Sequence, residues 1–472
     1  MKRGDILHLK IESVTYGSEG IARENGRVIF VDRTLPGEEV EVSVIKKRKD
    51  YAIARIVAIH KTSKKRIKAP CPHFGVCGGC KWQDVNYSYQ LELKQQIVTE
   101  VLQRTGGFNE VLIHPIKPSP EIFFYRNKME FSFSSHRWIL SEETDPLLKP
   151  RDYSLGLHIP GRYDKVLDID ECWLQSEFSN RVLILVKKFA KNSGLPVWDT
   201  KSHSGFWRYL ILREGKNTGQ KMVNIVTREY HPEVMEQFTS MLLQDFPDLT
   251  SIVNNVKEST GGSAFGEKEY LLAGRPIIED KIGDCLFEIS ANSFFQTNTK
   301  QAENLFQIIQ DFAKLSKHSV VYDLYAGTGT ISIFLASQVK KMIGVEVIES
   351  AVLNAKENAL KNNVSNCYFI LGDVKDIFGN SSGILSKYGN PDVVIIDPPR
   401  AGIHPKSISA ISSLSPPRIV YVSCNPTTFA RDARLLCDSG YSLKQVQPVD
   451  MFPHTYHIEL VGQFELDQSN SN

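Results

Sequence analysis

The sequence predicts a chain of mixed class, with a small N-terminal β-barrel at residues 1–60, a central α+β domain at 61–290 and a C-terminal α/β domain at 291–472. Short alternating apolar runs, separated by Gly, Pro and Asn turns, predict the barrel. From about residue 292, apolar strands alternate with amphipathic helical stretches, which is typical of a parallel sheet covered by helices on both faces. The segment between them mixes both patterns, and this mixture predicts the α+β domain.

Composition limits the class of protein. A chain of 472 residues with 42% hydrophobic residues is typical of a multidomain globular protein. Its eight cysteines are too few for a disulfide scaffold. No apolar run approaches the roughly 20 residues of a membrane span, and the first thirty residues show no signal-peptide pattern. We therefore expect a cytoplasmic protein without membrane contact, and nothing in the sequence indicates an obligate protein partner.

Positive charge is concentrated near the N-terminus, although the net charge of the chain is only +2. Residues 1–70 contain 16 Lys or Arg against 9 Asp or Glu, and residues 46–68 contain ten bases and one acid. A nucleic acid is the natural partner of such a surface, because each neutralised phosphate releases counterions. A solvated charged face is the alternative. Two basic clusters on either side of one β-patterned segment favour RNA or DNA.

A cysteine-rich stretch, CPHFGVCGGC, follows the barrel at residues 71–80. Its sulfurs, Cys71, Cys77 and Cys80, are spaced as C-x5-C-x2-C, and no fourth ligand lies nearby. A structural zinc site normally shows two close pairs. The stretch leads into a helix, predicted from the apolar spacing of SYQLELKQQIVTEVLQRTG, and no βαβ unit follows, which argues against a thioredoxin-like redox motif. Because thiolates suit both zinc and iron–sulfur clusters, both metals stay open.

The first strand of the α/β domain leads into a glycine-rich turn, VYDLYAGTGTISIFLA. The strand ends at Asp323, the turn contains Gly327 and Gly329, and a helix begins near Thr330. The glycines allow close approach of a ligand, and the helix N-terminus favours polar or negative groups. Ser332 replaces the third glycine of the dinucleotide fingerprint, which favours an adenosyl cofactor over a nicotinamide one.

Acidic residues end four successive strands of this domain: Asp323, Glu346, Asp373 and Asp397. Glu346 lies 23 residues after Asp323, where a carboxylate can accept both ribose hydroxyls. Open α/β sheets bind ligands beyond the carboxyl ends of their strands, so these acids are expected to line one crevice, although one or two could be ordinary loop or capping acids. Together these features favour S-adenosylmethionine.

The strand RIVYV places Cys424 at the same edge of the sheet. Asn425 and Pro426 end the strand directly afterwards, so the thiol is expected to face the crevice as a candidate nucleophile. Three further cysteines, Cys285, Cys367 and Cys437, are interpreted as small hydrophobic core residues.

Several motifs resemble those of the RNA uracil-C5 methyltransferases that use S-adenosylmethionine. They are DLYAGTGT, DPPRAG, SCNPTTFARD and FPHTYHIE, in that order and spacing. The segment FFQTN at 294–298 resembles the cofactor-contacting segment of the family, and YRNKMEF and GRYDKVLDIDECWLQ resemble its central domain. The N-terminal barrel resembles a TRAM domain, an OB-like RNA-binding module, and the C-terminal domain resembles a Rossmann-like methyltransferase. The resemblance covers nearly the whole chain.

The resemblance implies a role for each site residue. Cys424 would add to C6 of a flipped-out uracil, so that C5 can attack the sulfonium methyl group, and Glu459 would then remove the C5 proton. The implied contacts to S-adenosylmethionine are Gln296, Tyr325, Glu346, Asp373 and Asp397. Cys172 would complete a four-thiolate set for a [4Fe-4S] cluster with Cys71, Cys77 and Cys80, and zinc in the same cage is the alternative.

The resemblance also implies a substrate. Relatives that act on transfer RNA are typically shorter and lack both the barrel and the cysteine cluster, so 23S ribosomal RNA is the expected substrate. A transfer-RNA enzyme and a non-catalytic RNA-binding assembly protein are the alternatives. Arg126 and Lys128 are expected to contact the RNA backbone. The sequence departs from the family pattern at Asp164, where a histidine is expected, and at residues 136–151, which resemble an insertion. The final DQSNSN is expected to be disordered.

Overall fold

The computed structural model describes residues 1–140, 143, 151–379 and 382–467. Much of the predicted insertion at 136–151 and almost all of the tail predicted to be disordered lie outside the described residues. Within these ranges, no helix is both long enough and apolar enough to cross a membrane.

The N-terminal domain contains six strands: β1 (Ile6–Lys10), β2 (Ser13–Val14), β3 (Gly20–Glu24), β4 (Arg27–Val31), β5 (Glu39–Lys47) and β6 (Tyr51–Lys61). They form one sheet in the order β1-β5-β6-β4-β3-β2, with only β4 and β6 parallel to each other. Alternate residues of β5 (Val40, Val42 and Val44) are buried, as expected for a sheet with one apolar face. The β-rich N-terminal domain is confirmed, and its OB-like closure stays a prediction.

Two elements follow before the central domain: α1 (Tyr87–Arg104) and β7 (Leu112–Ile113). The Asn86 side chain caps α1 by accepting a hydrogen bond from the N–H of Ser88 (3.0 Å). The buried face of α1, which includes Leu93 and Ile97, packs against the C-terminal domain described below.

The central domain is a seven-stranded mixed sheet of order β10-β9-β8-β11-β12-β13-β14 with two helices. Its elements are β8 (Lys128–Ser134), β9 (Ser154–Ile159), β10 (Arg162–Asp168), α2 (Glu177–Asn192), β11 (Trp207–Glu214), β12 (Lys221–Thr227), α3 (Pro232–Asp245), β13 (Ser251–Val256) and β14 (Lys268–Gly274). Buried side chains of both helices, such as Val186 and Phe238, pack in one apolar core with Trp207 of the sheet.

The C-terminal part begins with a hairpin and continues as a regular α/β alternation. Its elements are β15 (Ile277–Ile282), β16 (Cys285–Ser290), α4 (Thr299–Ala313), β17 (Val320–Leu324), α5 (Thr330–Leu335), a 3-10 turn (Ala336–Gln338), β18 (Lys341–Glu346), α6 (Glu349–Lys361), β19 (Cys367–Leu371), α7 (Val374–Gly379), α8 (Ser382–Tyr388), β20 (Val393–Ile396), α9 (Pro405–Ser413), β21 (Arg418–Ser423), α10 (Pro426–Asp438), β22 (Tyr441–Val449) and β23 (Glu459–Leu466).

The C-terminal sheet has the order β19-β18-β17-β20-β21-β23-β22-β7. Strands β17 to β21 are parallel, β23 is antiparallel to its neighbours, and β7 joins the edge parallel to β22. One apolar layer contains α1, α9 and α10, and the opposite layer contains α4, α5 and the β15–β16 hairpin. The α/β fold predicted from the alternation is confirmed.

The predicted domain boundaries at 60 and 290 stay predictions, but the packing groups some segments differently. Helix α1, strand β7 and the β15–β16 hairpin fall in the predicted central region by sequence and pack on the C-terminal domain in space. Local patterns identify each element but carry no information about the sheet that it joins.

A buried ion pair joins α1 to the loop between β22 and β23. The Nζ of Lys94 lies 2.6 Å from Oδ1 of Asp450, and both side chains are 0% exposed. The Tyr87 hydroxyl donates to the other carboxylate oxygen (2.8 Å), and Lys94 also donates to the carbonyl of Phe452 (3.1 Å). Burial lowers the pKa of Lys94, and Asp450 opposes this shift. Because neither charge can be left unpaired at this depth, the pair holds the loop in one place.

Removal of one member of the pair should destabilise the protein strongly. Asp450→Asn leaves the Lys94 ammonium buried without its counter-charge, at an expected cost of about 3–5 kcal/mol. The cost should appear as a lower midpoint of thermal unfolding. The control is Glu39→Gln, which removes the carboxylate of an exposed pair with Lys61 (3.2 Å) and should cost under about 1 kcal/mol. Equal midpoints for the two variants would contradict this account.

Candidate active site

The turn between β17 and α5 presents its backbone to open space. Tyr325, Gly327 and Gly329 have positive φ angles of 65°, 54° and 77°. A Cβ on Gly329 would lie 2.7 Å from the Phe369 ring, so glycine is required for this packing. A Cβ on Gly327 would meet no heavy atom within 4 Å, so the backbone there faces open space. Tyr325 lacks the freedom of glycine, and its left-handed conformation is the kind of strain found at functional sites.

Glu346, at the end of β18, is bound to this turn. One carboxylate oxygen accepts a hydrogen bond from the N–H of Gly327 (2.9 Å), and the other accepts from Val347 (2.8 Å) and Ile348 (2.9 Å). The acid therefore lies beside the glycine turn, which is the proximity that the sequence spacing predicts.

Asp323 and Asp397 end two adjacent parallel strands, β17 and β20. Burial raises the pKa of each carboxyl to about 7. The Ser332 hydroxyl donates to Oδ2 of Asp323 (2.6 Å), while Oδ1 is buried and has no hydrogen-bond partner among the described residues. Ser332, which replaces the third glycine of the dinucleotide fingerprint, thus donates a hydrogen bond to the buried Asp323 carboxyl. The pair would ionise more readily beside a positive charge.

The structure places the other predicted cofactor contacts around the same edge. Asp373 is half-buried and pairs with Lys375 (2.9 Å), which lowers the pKa of the carboxyl, and its Oδ1 accepts from the N–H of the same lysine (3.1 Å). This is the geometry of a capping acid at α7. Burial raises the pKa of the Tyr325 hydroxyl, and hydrogen bonding with Ser407 opposes this shift.

Gln296 lies in the segment before α4, and the central domain fixes its backbone. The Asn127 side-chain amide donates to the carbonyl of Gln296 (2.6 Å) and to the hydroxyl of Thr299 (2.8 Å). The N–H of Asn127 donates to the carbonyl of Thr297 (2.9 Å). The motif YRNKMEF contains Asn127, but the sequence analysis singled out only its basic residues. The presence of Asn127 in the YRNKMEF motif is the sequence feature that could have identified it.

Cys424 and Glu459 share one charged environment at the edge of the sheet. Burial, the Glu459 carboxyl and Asp397 raise the pKa of the half-buried Cys424 thiol to about 11, and Arg400 opposes this shift. Burial and Asp397 raise the pKa of Glu459 well above its usual range, again opposed by Arg400. The sequence motifs predict the thiol and the acid, whereas Arg400 of DPPRAG is not predicted from them. A thiol and an acid with shifted pKa values beside one cation suit nucleophilic addition and proton transfer.

Asp432 of SCNPTTFARD connects that motif to the loop that contains DPPRAG. It is fully buried, and its Oδ2 accepts from the Tyr421 hydroxyl (2.8 Å) and the N–H of Ile403 (2.8 Å). A Cβ on Gly402, whose φ is 80°, would overlap this carboxylate. The acid thereby ties the loop that contains Arg400 to α10.

The loop before Glu459 is held from two sides. The Gln90 side chain accepts from the N–H of His454 (2.9 Å), and its amide lies 3.1 Å from Nδ1 of the same ring. Phe123 of the central domain stacks on this ring at 4.3 Å between centroids. Helix α1 and the central domain therefore position the general-base candidate together.

The four predicted metal ligands, Cys71, Cys77, Cys80 and Cys172, line one cavity of about 540 Å³. Burial raises the pKa of all four thiols, that of Cys77 to about 12. Arg126 and Lys128 line the same cavity, and Nε of Arg126 is buried without a hydrogen-bond partner among the described residues. The structure thus brings these two basic residues to the cysteines.

The sulfurs do not form a compact group of three in this structure. Over the described ranges, only His8, Glu41 and His60 bring three ligand atoms of His, Cys, Asp or Glu within 4.8 Å of one another. No three of the four sulfurs therefore lie within that distance of one another.

Comparison with known proteins gives two family matches. The model of the tRNA (uracil-5-)-methyltransferase family matches residues 218–464, and the TRAM domain model matches residues 1–57. The second range agrees with the predicted N-terminal domain.

Full-length relatives and a solved structure are also similar. An uncharacterized RNA methyltransferase of Chlorobaculum tepidum is 42% identical over 98% of this chain and 97% of its own, and one of Bacteroides thetaiotaomicron is 40% identical over 95% and 99%. The crystal structure of Pyrococcus abyssi tRNA (uracil-54, C5)-methyltransferase with S-adenosyl-L-homocysteine is 32% identical, with a TM-score of 0.74 over 97% of this chain and 99% of that chain.

Alkylation should report the environment of Cys424 directly. Because the thiol pKa is about 11, the rate of its reaction with iodoacetamide should rise roughly tenfold per pH unit from pH 7 to 9. Arg400→Met removes the cation that favours the thiolate and should slow alkylation at pH 8 by about 3- to 10-fold. Peptide mass spectrometry separates Cys424 from Cys437, which serves as the internal control. An unchanged rate at Cys424 in this variant would contradict the role of Arg400.

Proposed function

The chain belongs to the tRNA (uracil-5-)-methyltransferase family of RNA methyltransferases, and we propose that it methylates C5 of a uridine in RNA by way of Cys424 and Glu459. The resemblance seen in the sequence motifs is confirmed by this membership. The observation that carries the proposal is the convergence of Cys424, Glu459 and Arg400 at the sheet edge, beside the acids Asp397 and Asp323.

The residues at the glycine turn fit S-adenosylmethionine, which supplies an electrophilic methyl group and a positive charge when it is bound. Gly327 offers open backbone, and the unpartnered Oδ1 of Asp323 and the raised pKa of Asp397 indicate acids that lack a cation. We assign cofactor contacts to Gln296, Tyr325, Glu346 and Asp397. We assign Asp373 a peripheral contact with the cofactor, because its carboxylate already pairs with Lys375.

Cys424 starts the reaction as a thiolate, which Arg400 stabilises. It adds to C6 of the uracil, and the electrons of the C5–C6 double bond move to the O4 enolate, so that C5 becomes nucleophilic. After C5 has gained the methyl group, the Glu459 carboxylate takes the C5 proton. The electrons of that C–H bond restore the C5–C6 double bond and expel the Cys424 thiolate. Burial and the charge of Asp397 favour the protonated form of Glu459 at rest. A positive charge beside Asp397 offsets the effect of Asp397 and thereby favours the Glu459 carboxylate, which is the form that can act as a base.

RNA must approach this edge with the uridine turned out of its stack, at a cost of a few kcal/mol. The basic residues Lys46, Lys47, Arg48 and Lys49 are exposed at the β5–β6 turn of the N-terminal domain. Their charge supports phosphate binding that offsets this cost.

The RNA class has two candidates. The presence of both the N-terminal barrel and the cysteine stretch favours 23S ribosomal RNA, which we propose as the substrate. The expectation that transfer-RNA enzymes lack the barrel and cysteine stretch is weakened by the Pyrococcus abyssi structure, because it is named for tRNA uracil-54 and matches 97% of this chain. Transfer RNA is therefore the second candidate.

Substitution of the two reacting residues should separate the steps. Cys424→Ala should abolish 5-methyluridine formation, because it removes the nucleophilic sulfur. RNA binding should stay within about twofold of wild type, since the substitution is small and removes no charged group at rest. Glu459→Gln should slow proton removal by about 10²–10⁴-fold, so that a methylated enzyme–RNA adduct accumulates. Both effects are measured with methyl-labelled S-adenosylmethionine on purified 23S ribosomal RNA and transfer RNA side by side.

Cys437→Ala is the control for loss of a thiol elsewhere, and it should keep the wild-type rate. Wild-type turnover by Cys424→Ala would contradict the nucleophile assignment. Methylation of transfer RNA alone would exclude the ribosomal substrate and leave the chemistry intact.

We also propose that Cys71, Cys77, Cys80 and Cys172 hold a [4Fe-4S] cluster that links the cysteine stretch to the central domain. Zn–S bonds of 2.3 Å would place the sulfurs of a tetrahedral zinc site roughly 3.8 Å apart. No three of these sulfurs lie within 4.8 Å of one another, which fits a cluster whose four thiolates bind separate iron atoms. The unpartnered Nε of Arg126 supports an anionic occupant of the cavity, because a cluster with four thiolates is negatively charged.

Anaerobic purification tests the metal. We expect a brown protein with about four iron and four sulfide per chain, and Cys172→Ser should lose most of the iron. Cys367→Ser, outside the cavity, should keep it. A colourless protein with stoichiometric zinc would contradict the cluster.

A further inference from the structure

The N-terminal domain reaches the catalytic cysteine through one tyrosine. The hydroxyl of Tyr16, in the loop between β2 and β3, donates a hydrogen bond to the backbone carbonyl of Cys424 (2.9 Å). Its ring contacts that of Tyr456 edge to face, with centroids 5.6 Å apart at 85°, and Tyr456 lies against His457 at 4.4 Å. A residue of the N-terminal domain therefore contacts the backbone of the proposed nucleophile.

Apolar packing fixes this loop against the C-terminal domain. Val14 and Leu35 of the N-terminal domain are 6% and 1% exposed, and they belong to the same apolar cluster as Leu93 of α1 and Tyr421 of β21. Tyr16 packs on this cluster as well. The N-terminal domain is therefore docked on the methyltransferase fold by a shared core.

A charge network ties the N-terminal domain to the segment that precedes α1. The guanidinium of Arg66, in the segment after β6, donates to both carboxylate oxygens of Glu38 (2.7 and 2.9 Å) and also pairs with Asp84. The Glu38 side chain is 0% exposed, and hydrogen bonding to Arg66 lowers the pKa of its carboxyl against the effect of burial. Bidentate pairs of this kind fix orientation as well as distance.

The loop that carries Tyr16 is closed by its own hydrogen bonds. The N–H of Thr15 donates to the carbonyl of Glu19 (2.8 Å), and the Thr15 hydroxyl donates to the Glu19 carboxylate. Ser18 adopts a left-handed φ of 74°, which reverses the chain between them. A loop fixed at both ends in this way presents Tyr16 in one orientation.

The electrostatic surroundings keep the Tyr16 hydroxyl protonated. Burial raises its pKa, and so do the nearby Cys424 thiol and Glu459 carboxyl. A protonated hydroxyl can hold the Cys424 carbonyl throughout the reaction without competing for the proton that Glu459 takes. The hydrogen bond therefore positions the backbone of Cys424 and takes no part in the acid–base chemistry.

We propose that Tyr16 is a positioning residue of the uridine site, supplied by the N-terminal domain: its hydroxyl fixes the backbone of Cys424, and its ring with Tyr456 forms a wall for the flipped pyrimidine. This inference rests on the proposed function. It makes the N-terminal domain part of the catalytic site in addition to its role in RNA binding.

Two substitutions at Tyr16 separate the hydroxyl from the ring. Tyr16→Phe should lower kcat by roughly fivefold, the value of one hydrogen bond, with KM for RNA within about twofold of wild type. Tyr16→Ala should lower kcat by at least a further tenfold or so, because the wall is lost as well. Tyr51→Phe removes a hydroxyl from the same domain, where the ring packs on Phe30 (5.6 Å), and should leave kcat unchanged.

The rate of Cys424 alkylation by iodoacetamide gives a readout that does not require methyl transfer. Tyr16→Ala should accelerate it several-fold by exposing the thiol, while Tyr51→Phe should not. Thermal midpoints and binding of S-adenosylmethionine, compared for all variants, identify misfolding, and Tyr16→Phe keeps the test valid if the alanine variant is unstable.

Wild-type kcat and alkylation in both Tyr16 variants would overturn the proposal. So would a loss confined to KM for RNA and shared by Tyr51→Phe, because Tyr16 would then be an ordinary RNA contact. If the wild-type enzyme forms no 5-methyluridine, the proposed function fails, and the alkylation rates still decide whether Tyr16 positions Cys424.

Discussion

The buried pair of Lys94 and Asp450 is the constraint on which the geometry of the site depends. Two charges that are fully removed from water must stay together, so helix α1 and the loop before Glu459 have one relative position. The same loop binds the start of α4, since Gln301 donates to the carbonyl of Asp450 (3.2 Å) and Asn298 donates to that of Met451 (3.1 Å). The general-base candidate and the proposed cofactor-binding segment before α4 are therefore positioned through one network.

The environment of each cysteine separates structural from reactive sulfur. Four thiols line one cavity beside Arg126, and three others pack with apolar clusters of the C-terminal domain. Cys424 alone combines a position at the end of a parallel strand with a carboxyl and a cation within electrostatic reach. We therefore propose that the partners which the fold brings to Cys424 distinguish it as the reactive thiol.

Much of this arrangement is predictable from the sequence because it is local. Strand and helix periodicity gives the α/β alternation, and the acids at strand ends, together with Cys424, follow from the edge at which parallel strands meet. The contributions of Asn127, Asp432 and Tyr16 are not predictable in this way. Each acts across a contact between segments far apart in the chain, and a local pattern contains no information about which segments will pack together. The same reason explains why α1 and the hairpin of residues 277–290 pack on the C-terminal domain, although their sequence positions fall in the predicted central region.

We propose above all that Cys424 forms a covalent bond to C6 of a uridine. RNA that contains 5-fluorouridine tests it directly, because fluorine at C5 cannot leave as a proton and Glu459 cannot complete the reaction. The account predicts a stable enzyme–RNA complex that depends on S-adenosylmethionine, with the nucleotide attached to the Cys424 peptide after digestion and mass spectrometry. An active enzyme that forms no such complex, or one attached at another cysteine, would contradict it.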